Sequence, residues 1–256
     1  MTWQAGAGYY QDNRAYALFL ESHSFELYAK YYGHVVAAGP KRALDAGCGV
    51  GQVVNRAAAD GFFMVGSDIS STFLVTAHHG PGIFVQQPPA AFPFRDASFD
   101  VVGSFTVLEH VQDPDLYLDE LVRVLEPAGR LILACPNFLS ITNSYHWHTA
   151  GLWRKAQNLG TIVQKVYASW FQQDKLAFEF MRPRLGGPSF APDDDAICMT
   201  NPIDVLFQLR KRGITILHTS SILQPTAWSL VNRIRDVPLL KLFFGGVFVE
   251  GRKGAP

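Results

Sequence analysis

The chain has 256 residues, 48% of them hydrophobic and 17% charged, with 22 Lys and Arg balanced by 22 Asp and Glu. That length allows one large α/β domain, or one domain carrying a sizeable insertion, and a net charge of zero without a basic stripe argues against a nucleic-acid partner. Cys48, Cys135 and Cys198 form no CxxC pair, which excludes a disulfide framework or structural zinc and predicts a cytoplasmic protein.

Residues 1–16 show no basic segment leading into an apolar one, so no secretory signal is expected. From Phe19 to Val36, the positions Phe25, Tyr28, Tyr32 and Val35 recur at helical spacing, and Gly39-Pro40 ends the pattern. Arg42 to Ala46 reads as a first strand running into a glycine turn. Val53 to Ala59 then reads as helix, and Phe62 to Ser67 as a second, continuously apolar strand of the kind buried in a parallel sheet. Ser70 to His78 suits another helix, Ile83 to Val85 a short third strand, and Phe99 to Phe105 a fourth.

Asp113 as N-cap and Pro114 in the first turn open a helix whose core face is Leu118, Leu121, Val122 and Leu125. Arg130 to Cys135 is a fifth strand. From Asn137 to Thr200 the alternation breaks, and residues 138–200 read as an insertion forming a substrate cap. The pattern resumes at Asn201-Pro202 with a helix closed by Gly213, a sixth strand from Ile214 to His218, a helical stretch from Trp228 to Arg235, and a seventh strand from Gly246 to Gly251. Leu239 to Val249 is too short and too interrupted for a membrane helix. The expectation is a single α/β domain over residues 1–256: a doubly wound, seven-stranded, mostly parallel sheet, with a helical N-terminal lid over 1–39 and the insertion after the fifth strand.

Ligands in such sheets bind at the carboxyl ends of the strands. The glycine turn, Asp45-Ala-Gly47-Cys-Gly49-Val-Gly51, lies on that edge, and Asp68 lies at the tip of the second strand. A dinucleotide turn runs G-x-G-x-x-G, yet Gln52 stands where its third glycine would fall. Asp45 ahead of the turn is unfavourable beside a pyrophosphate. It suits a cationic, phosphate-free nucleoside such as S-adenosylmethionine, whose ribose hydroxyls Asp68 can bind.

Further tracts fall in register: Gly66-Ser-Asp68-Ile69-Ser70, then Phe92-Pro-Phe-Arg-Asp96-Ala-Ser-Phe99-Asp100, then Ser104-Phe105-Thr-Val-Leu108-Glu109-His110, then Leu125-Glu-Pro-Ala-Gly129. Together they resemble the class I S-adenosylmethionine-dependent methyltransferases, of the Rossmann-like subgroup acting on small molecules and on lipid-like or glycan precursors. The resemblance implies cofactor contacts from Asp45, Gly47, Cys48, Gly49, Gly51, Asp68, Ile69, Gln87, Ser104 and Phe105. It departs in one place: an acid that usually meets the adenine amino group is replaced here by the Gln86-Gln87 tract, so Gln87 is expected to offer a carbonyl acceptor instead.

Methyl transfer is an in-line displacement, so the protein aligns the acceptor and, for a hydroxyl, removes a proton. His110, His146 and His148 are the candidate bases, with Tyr145 beside the latter pair. His110 and Glu109 have an alternative role, closing the strand–helix loop by hydrogen bonds. No metal site is assigned, because nothing fixes the spacing of the histidines against Asp193 to Asp195, which reads as a solvated turn. Tyr9, Tyr10 and Tyr16 belong either to a lid over the cofactor or to a staple onto the core, and Trp228 to Phe244 either lies on a membrane surface or covers the sheet or the insertion. The expected reaction is O-methylation of a small-molecule, glycan-linked or lipid-linked acceptor. Its rivals are a non-catalytic partner protein and an N- or C-methyltransferase acting on RNA or protein. Oligomeric state is not encoded in any motif.

Overall fold

The computed structural model describes residues 7–11, 13–88, 91–140, 151–185, 193–222 and 245–255. It opens with helices α1 (Ala7–Gln11), α2 (Arg14–Glu21) and α3 (Glu26–Ala37). Then strands and helices alternate: β1 (Ala43–Ala46), α4 (Gln52–Ala59), β2 (Met64–Asp68), α5 (Ser71–Ala77), β3 (Ile83–Gln86), β4 (Phe99–Phe105), α6 (Pro114–Val124) and β5 (Leu125–Cys135). The insertion contributes α7 (Leu152–Phe171), β6 (Glu179–Phe180) and β7 (Cys198–Met199), and α8 (Pro202–Lys211), β8 (Ile214–Ser220) and β9 (Val247–Lys253) complete the chain.

Seven strands form one sheet in the order β3-β2-β1-β4-β5-β9-β8, while β6 and β7 pair separately. Only β9 runs against its neighbours, β5 and β8. The others pair in parallel. This is the doubly wound α/β sheet that the sequence predicts. Alternate residues of each central strand feed opposite layers, as the pleat requires. Leu44, Val102 and Leu133 pack toward Leu118 and Leu121 of α6 and Val205 and Leu209 of α8. Ala43, Val101 and Ile132 pack toward Tyr31 and Val35 of α3 and Val54 and Ala57 of α4. Strand order reverses between β1 and β4, the switch point at which α/β sheets open a crevice.

The structure redraws several predicted boundaries. The helix read from Phe19 to Val36 is two helices, because Ser22 caps α2 and its hydroxyl donates to the Phe19 carbonyl, a local bond that competes with helix continuation. Leu125 leaves the predicted helix and begins β5, where it pairs with Phe99. The patternless insertion contains a 20-residue helix, α7. Its Leu152, Leu159, Val163, Tyr167 and Trp170 recur at helical spacing, a period that the reading of this stretch as patternless passed over. The predicted helix from Trp228 to Arg235 lies outside the described residues, as do Tyr145, His146 and His148.

The insertion is tied to the domain by a buried cation. Lys165 of α7 reaches Asp204 of α8 at 2.9 Å and Glu179 of β6 at 3.0 Å. Asn201 donates to the same Asp204 carboxylate at 2.6 Å. Removing one partner of a buried pair leaves the other charge uncompensated. Lys165→Met is therefore expected to destabilise the chain by about 3–5 kcal/mol, read as a fall in the urea midpoint at unchanged slope. A midpoint equal to the wild type's would show that the pair adds nothing to stability.

Candidate active site

β1 delivers Asp45 to the switch point and the chain then turns through Gly47, Gly49 and Gly51, all at positive φ. The turn cannot accept side chains. A Cβ on Gly47 would lie 2.3 Å from Val107, and one on Gly51 would lie 2.6 Å from Phe84. Gly49 differs, because its nearest protein atom would be Leu20 at 3.4 Å. Its bareness faces a cavity rather than the core.

That cavity has a volume of about 720 Å³, within the roughly 300–1,000 Å³ of small-molecule sites. Gly47, Cys48 and Gly49 form part of its wall, with Asp45, Asp68, Ile69, Gln87 and Phe105. The structure thus brings eight of the ten predicted cofactor residues onto one surface. The other two do not line it. Gly51 starts α4 and packs on Phe84 and Ala77. Ser104 is fully buried, with its hydroxyl 2.8 Å from that of Tyr117, which in turn donates to the Ala46 carbonyl.

Asp68, 6% exposed, accepts from the backbone N–H groups of Gly49 and Ser70, both at 2.9 Å. One carboxylate therefore fixes the glycine turn to the end of β2. Burial raises its pKa to about 6 against the lowering effect of those bonds. Asp45 is held by Tyr31, whose hydroxyl donates at 2.6 Å. Tyr31 reaches it through the space left by Gly103, where a Cβ would sit 1.9 Å from the Tyr31 hydroxyl oxygen. Burial pushes Asp45 to about 7. An acid whose folded pKa exceeds its unfolded one loses stability as pH rises between the two. Both groups thus weaken the fold above roughly pH 4, where the unfolded chain's carboxylates ionise. A cation in the cavity would relieve that cost. The side-chain oxygen of Gln87 is buried and has no protein partner, an open acceptor at the position expected to meet the adenine. These observations fit a nucleoside bearing a cationic group.

The opposite wall carries His110, which ends a 3-10 turn from Leu108 to His110 after β4. Its Nε2 lies 3.7 Å from Glu109 and its Nδ1 lies 3.6 Å from Asp195. Burial opposes the imidazolium, but Asp195, Glu109 and Asp193 outweigh it and raise the His110 pKa. Glu109 is fully buried, and neither carboxylate oxygen has a hydrogen-bond partner. It does not buttress the loop through its side chain, and burial raises its pKa while the neighbouring His110 opposes that rise. Glu109, His110 and Asp193 bring potential ligand atoms within 4.8 Å of one another, the one such grouping among the described residues. Thr106 beside them holds φ +52, an outlier for a β-branched residue of the kind that gathers at working sites.

Two features correct the sequence reading. The turn from Asp193 to Asp195 is not simply solvated: Asp195 is 3% exposed and accepts from the Tyr10 hydroxyl at 2.9 Å. Tyr10 and Tyr16 are part of the cavity wall as well as of an aromatic cluster with Phe73. Helix α1 is pinned beside Asp68, where Gln11 donates to the Ile69 carbonyl and Ser70 to the Tyr10 carbonyl, each at 2.6 Å. Gln52 latches α2 to the turn by donating to the carbonyls of Leu20 and His23. The sequence presents Tyr10 and Asp195 separately and does not reveal their pairing, because no motif links residues 185 positions apart.

The sheet has the Rossmann-like fold of the S-adenosylmethionine-dependent methyltransferases, and the glycine–acid turn fits S-adenosylmethionine as the cofactor. Residues 44–133 match the profile of the family described as "Methyltransferase domain". The chain is 34% identical over 96 residues to the malonyl-[acyl-carrier protein] O-methyltransferase of Erwinia billingiae, a stretch covering 37% of this chain and 38% of that protein. It is 29% identical over 170 residues to the 27-O-demethylrifamycin SV methyltransferase of Amycolatopsis mediterranei, covering 63% and 59% of the two chains. Among solved structures it resembles the magnesium protoporphyrin IX methyltransferase of Synechocystis with bound S-adenosylhomocysteine, at TM-score 0.52 and 18% identity over 90% of this chain and 82% of that one. The chain thus spans about two fifths or less of the length of the curated relatives that match first.

Proposed function

We propose that this protein transfers the methyl group of S-adenosylmethionine to a hydroxyl oxygen of a neutral small molecule, with His110 as general base. The observation that carries this is one cavity with Asp68 and the glycine turn on one wall and His110 on the other. When bound, the cofactor supplies a methyl group already activated by its sulfonium. Asp68 would bind the ribose hydroxyls, Gln87 would accept from the adenine, and the backbone at Gly47 and Gly49 would pass close beneath. Asp45 would balance the cation. His110 would take the acceptor's proton, and Asp195 and Glu109 would stabilise the imidazolium that forms.

The cavity's charges narrow the acceptor. Asp45, Asp68, Asp113, Glu120 and Asp193 line it, and no Lys or Arg does so among the described residues. Apart from the His110 imidazole, a carboxylate or phosphate on the acceptor would meet like charge there. A neutral acceptor, free or as part of a glycan or lipid, suits the wall better, and aromatic side chains such as Tyr10, Tyr28 and Phe105 offer its body apolar contact. Residues 1–39 would act as the lid and 138–200 as the cap that shapes this end. Three free thiols agree with a cytoplasmic location.

Titration calorimetry with S-adenosylhomocysteine, followed by radiolabelled methyl transfer to a panel of phenols, glycosides and carboxylic acids, tests the proposal. Saturable binding and labelling of hydroxyl acceptors are expected. No heat at millimolar ligand would make the protein a non-catalytic partner, and labelling confined to the acids would overturn the choice of acceptor.

A further inference from the structure

Helix α7 presents one face to the domain and leaves the other bare. Asn158, Ile162, Lys165 and Ala168 are buried, and Ile162 and Ala168 pack with Leu139, Leu176 and Ile203. At about 100° per residue, these fall opposite a second apolar stripe of Leu152, Leu159, Val163, Tyr167 and Trp170, flanked by Trp153 and Phe171. Its side chains stand in solvent: Trp153 is 77% exposed, Trp170 76% and Phe171 70%. A surface helix usually turns polar residues outward, and contiguous exposed apolar stripes mark interaction sites.

Charge separates the candidate occupants. Residues 151–185 hold six Lys and Arg against two Asp and Glu, a net +4 in a chain whose total is zero. Helix α7 itself contains Arg154, Lys155 and Lys165 and no acid. A second copy of α7 would bring only like charge. Its stripe is also too small: 20 residues span about 30 Å, and a strip about 10 Å wide offers roughly 300 Å², against roughly 800 Å² per partner in a standard interface. A helix with Trp, Phe and Leu on one face, Lys155 flanking them and no acid anywhere along it matches what lies flat in the headgroup region of an anionic bilayer.

We propose that the exposed face of α7 docks this protein on an anionic lipid surface, with Trp153 and Trp170 inserted at either end of the helix and Lys155, which flanks the stripe, held near lipid phosphates. This goes beyond the methyl-transfer reading and holds whichever acceptor is used. It also places the membrane contact on the cap rather than on Trp228 to Phe244.

The test is flotation of the full chain with vesicles of phosphatidylcholine alone and of phosphatidylcholine with phosphatidylglycerol at 7:3. Binding to the anionic vesicles alone is expected, and it should weaken strongly at high salt. Trp153→Ala and Trp170→Ala should each lower the partition coefficient about tenfold, since burying one large apolar side chain is worth up to about that factor or more. Lys155→Glu should lower it as well. All three side chains project from the fold or lie at its rim, so melting temperature and S-adenosylhomocysteine affinity should be unchanged. No flotation, or flotation indifferent to both tryptophans, would overturn the proposal. A wild-type dimer in sedimentation velocity that Trp170→Ala dissociates would give the face to a second copy instead.

Discussion

His110→Ala is expected to lower kcat for methyl transfer by about 10²–10⁴-fold, the usual contribution of a positioned base, with little change in S-adenosylhomocysteine affinity. The side chain lines the cavity and makes no hydrogen bond to the glycine turn, so its loss should fall on the chemical step. The pH profile gives the sharper reading. Only neutral imidazole can accept a proton, and the surrounding carboxylates raise the His110 pKa. The rate should therefore climb with pH through a midpoint above the ordinary histidine value of about 6.5. Asp195→Asn removes the first of those carboxylates and should move the midpoint to lower pH. It should also lower the rate, because the forming imidazolium loses a counter-charge. Full turnover in His110→Ala would exclude His110 as the base. A profile that Asp195→Asn leaves in place would show that the Asp195 carboxylate, 3.6 Å away, does not tune it.

Asp68→Ala should weaken S-adenosylhomocysteine binding at least a hundredfold by calorimetry, since hydrogen bonds to a charged group are worth about 1.5–3 kcal/mol each and about 1.4 kcal/mol is a factor of ten. Two losses combine. The ribose would lose its acceptors, and the Gly49 and Ser70 amides would lose theirs. Asp68→Asn separates the two effects, because an amide oxygen can still accept from one amide while the second site carries donors. Affinity should also depend on pH in the wild type. With a carboxyl pKa of about 6, protonation below that value removes acceptor capacity, so binding should weaken as pH falls through 6. Asp68→Asn should flatten that part of the profile. Wild-type affinity in Asp68→Ala would remove the ribose assignment.

Much of the sheet was legible because its signals are local. The apolar run before Asp68, the Asp113-Pro114 start of α6 and the Asn201-Pro202 start of α8 each encode an element within a few residues. The caps are as expected, with Asp113 accepting from Leu116 and Asn201 from Ile203 and Asp204. Boundaries failed where two local preferences compete, as at Ser22 and at Leu125. The insertion was opaque for another reason: the apolar period of α7 lies on its solvent face, while the side packed near Ile203 carries the polar Asn158 and Lys165, so the pattern does not mark a core-facing helix.

The sequence by itself determined the cofactor half of the site. Asp45, the glycines and Asp68 sit on one β–turn–α–β unit of 24 consecutive residues, where steric demands on φ and the reach of one carboxylate leave few arrangements. Only the tertiary structure decided the acceptor half. His110 sits between Glu109, its neighbour, and Asp195, which also holds Tyr10 from 185 positions away. Such a cluster forms only when the N-terminal helices and the cap close over the same edge of the sheet. Contacts of that range depend on how finished elements pack, and no run of adjacent residues records them.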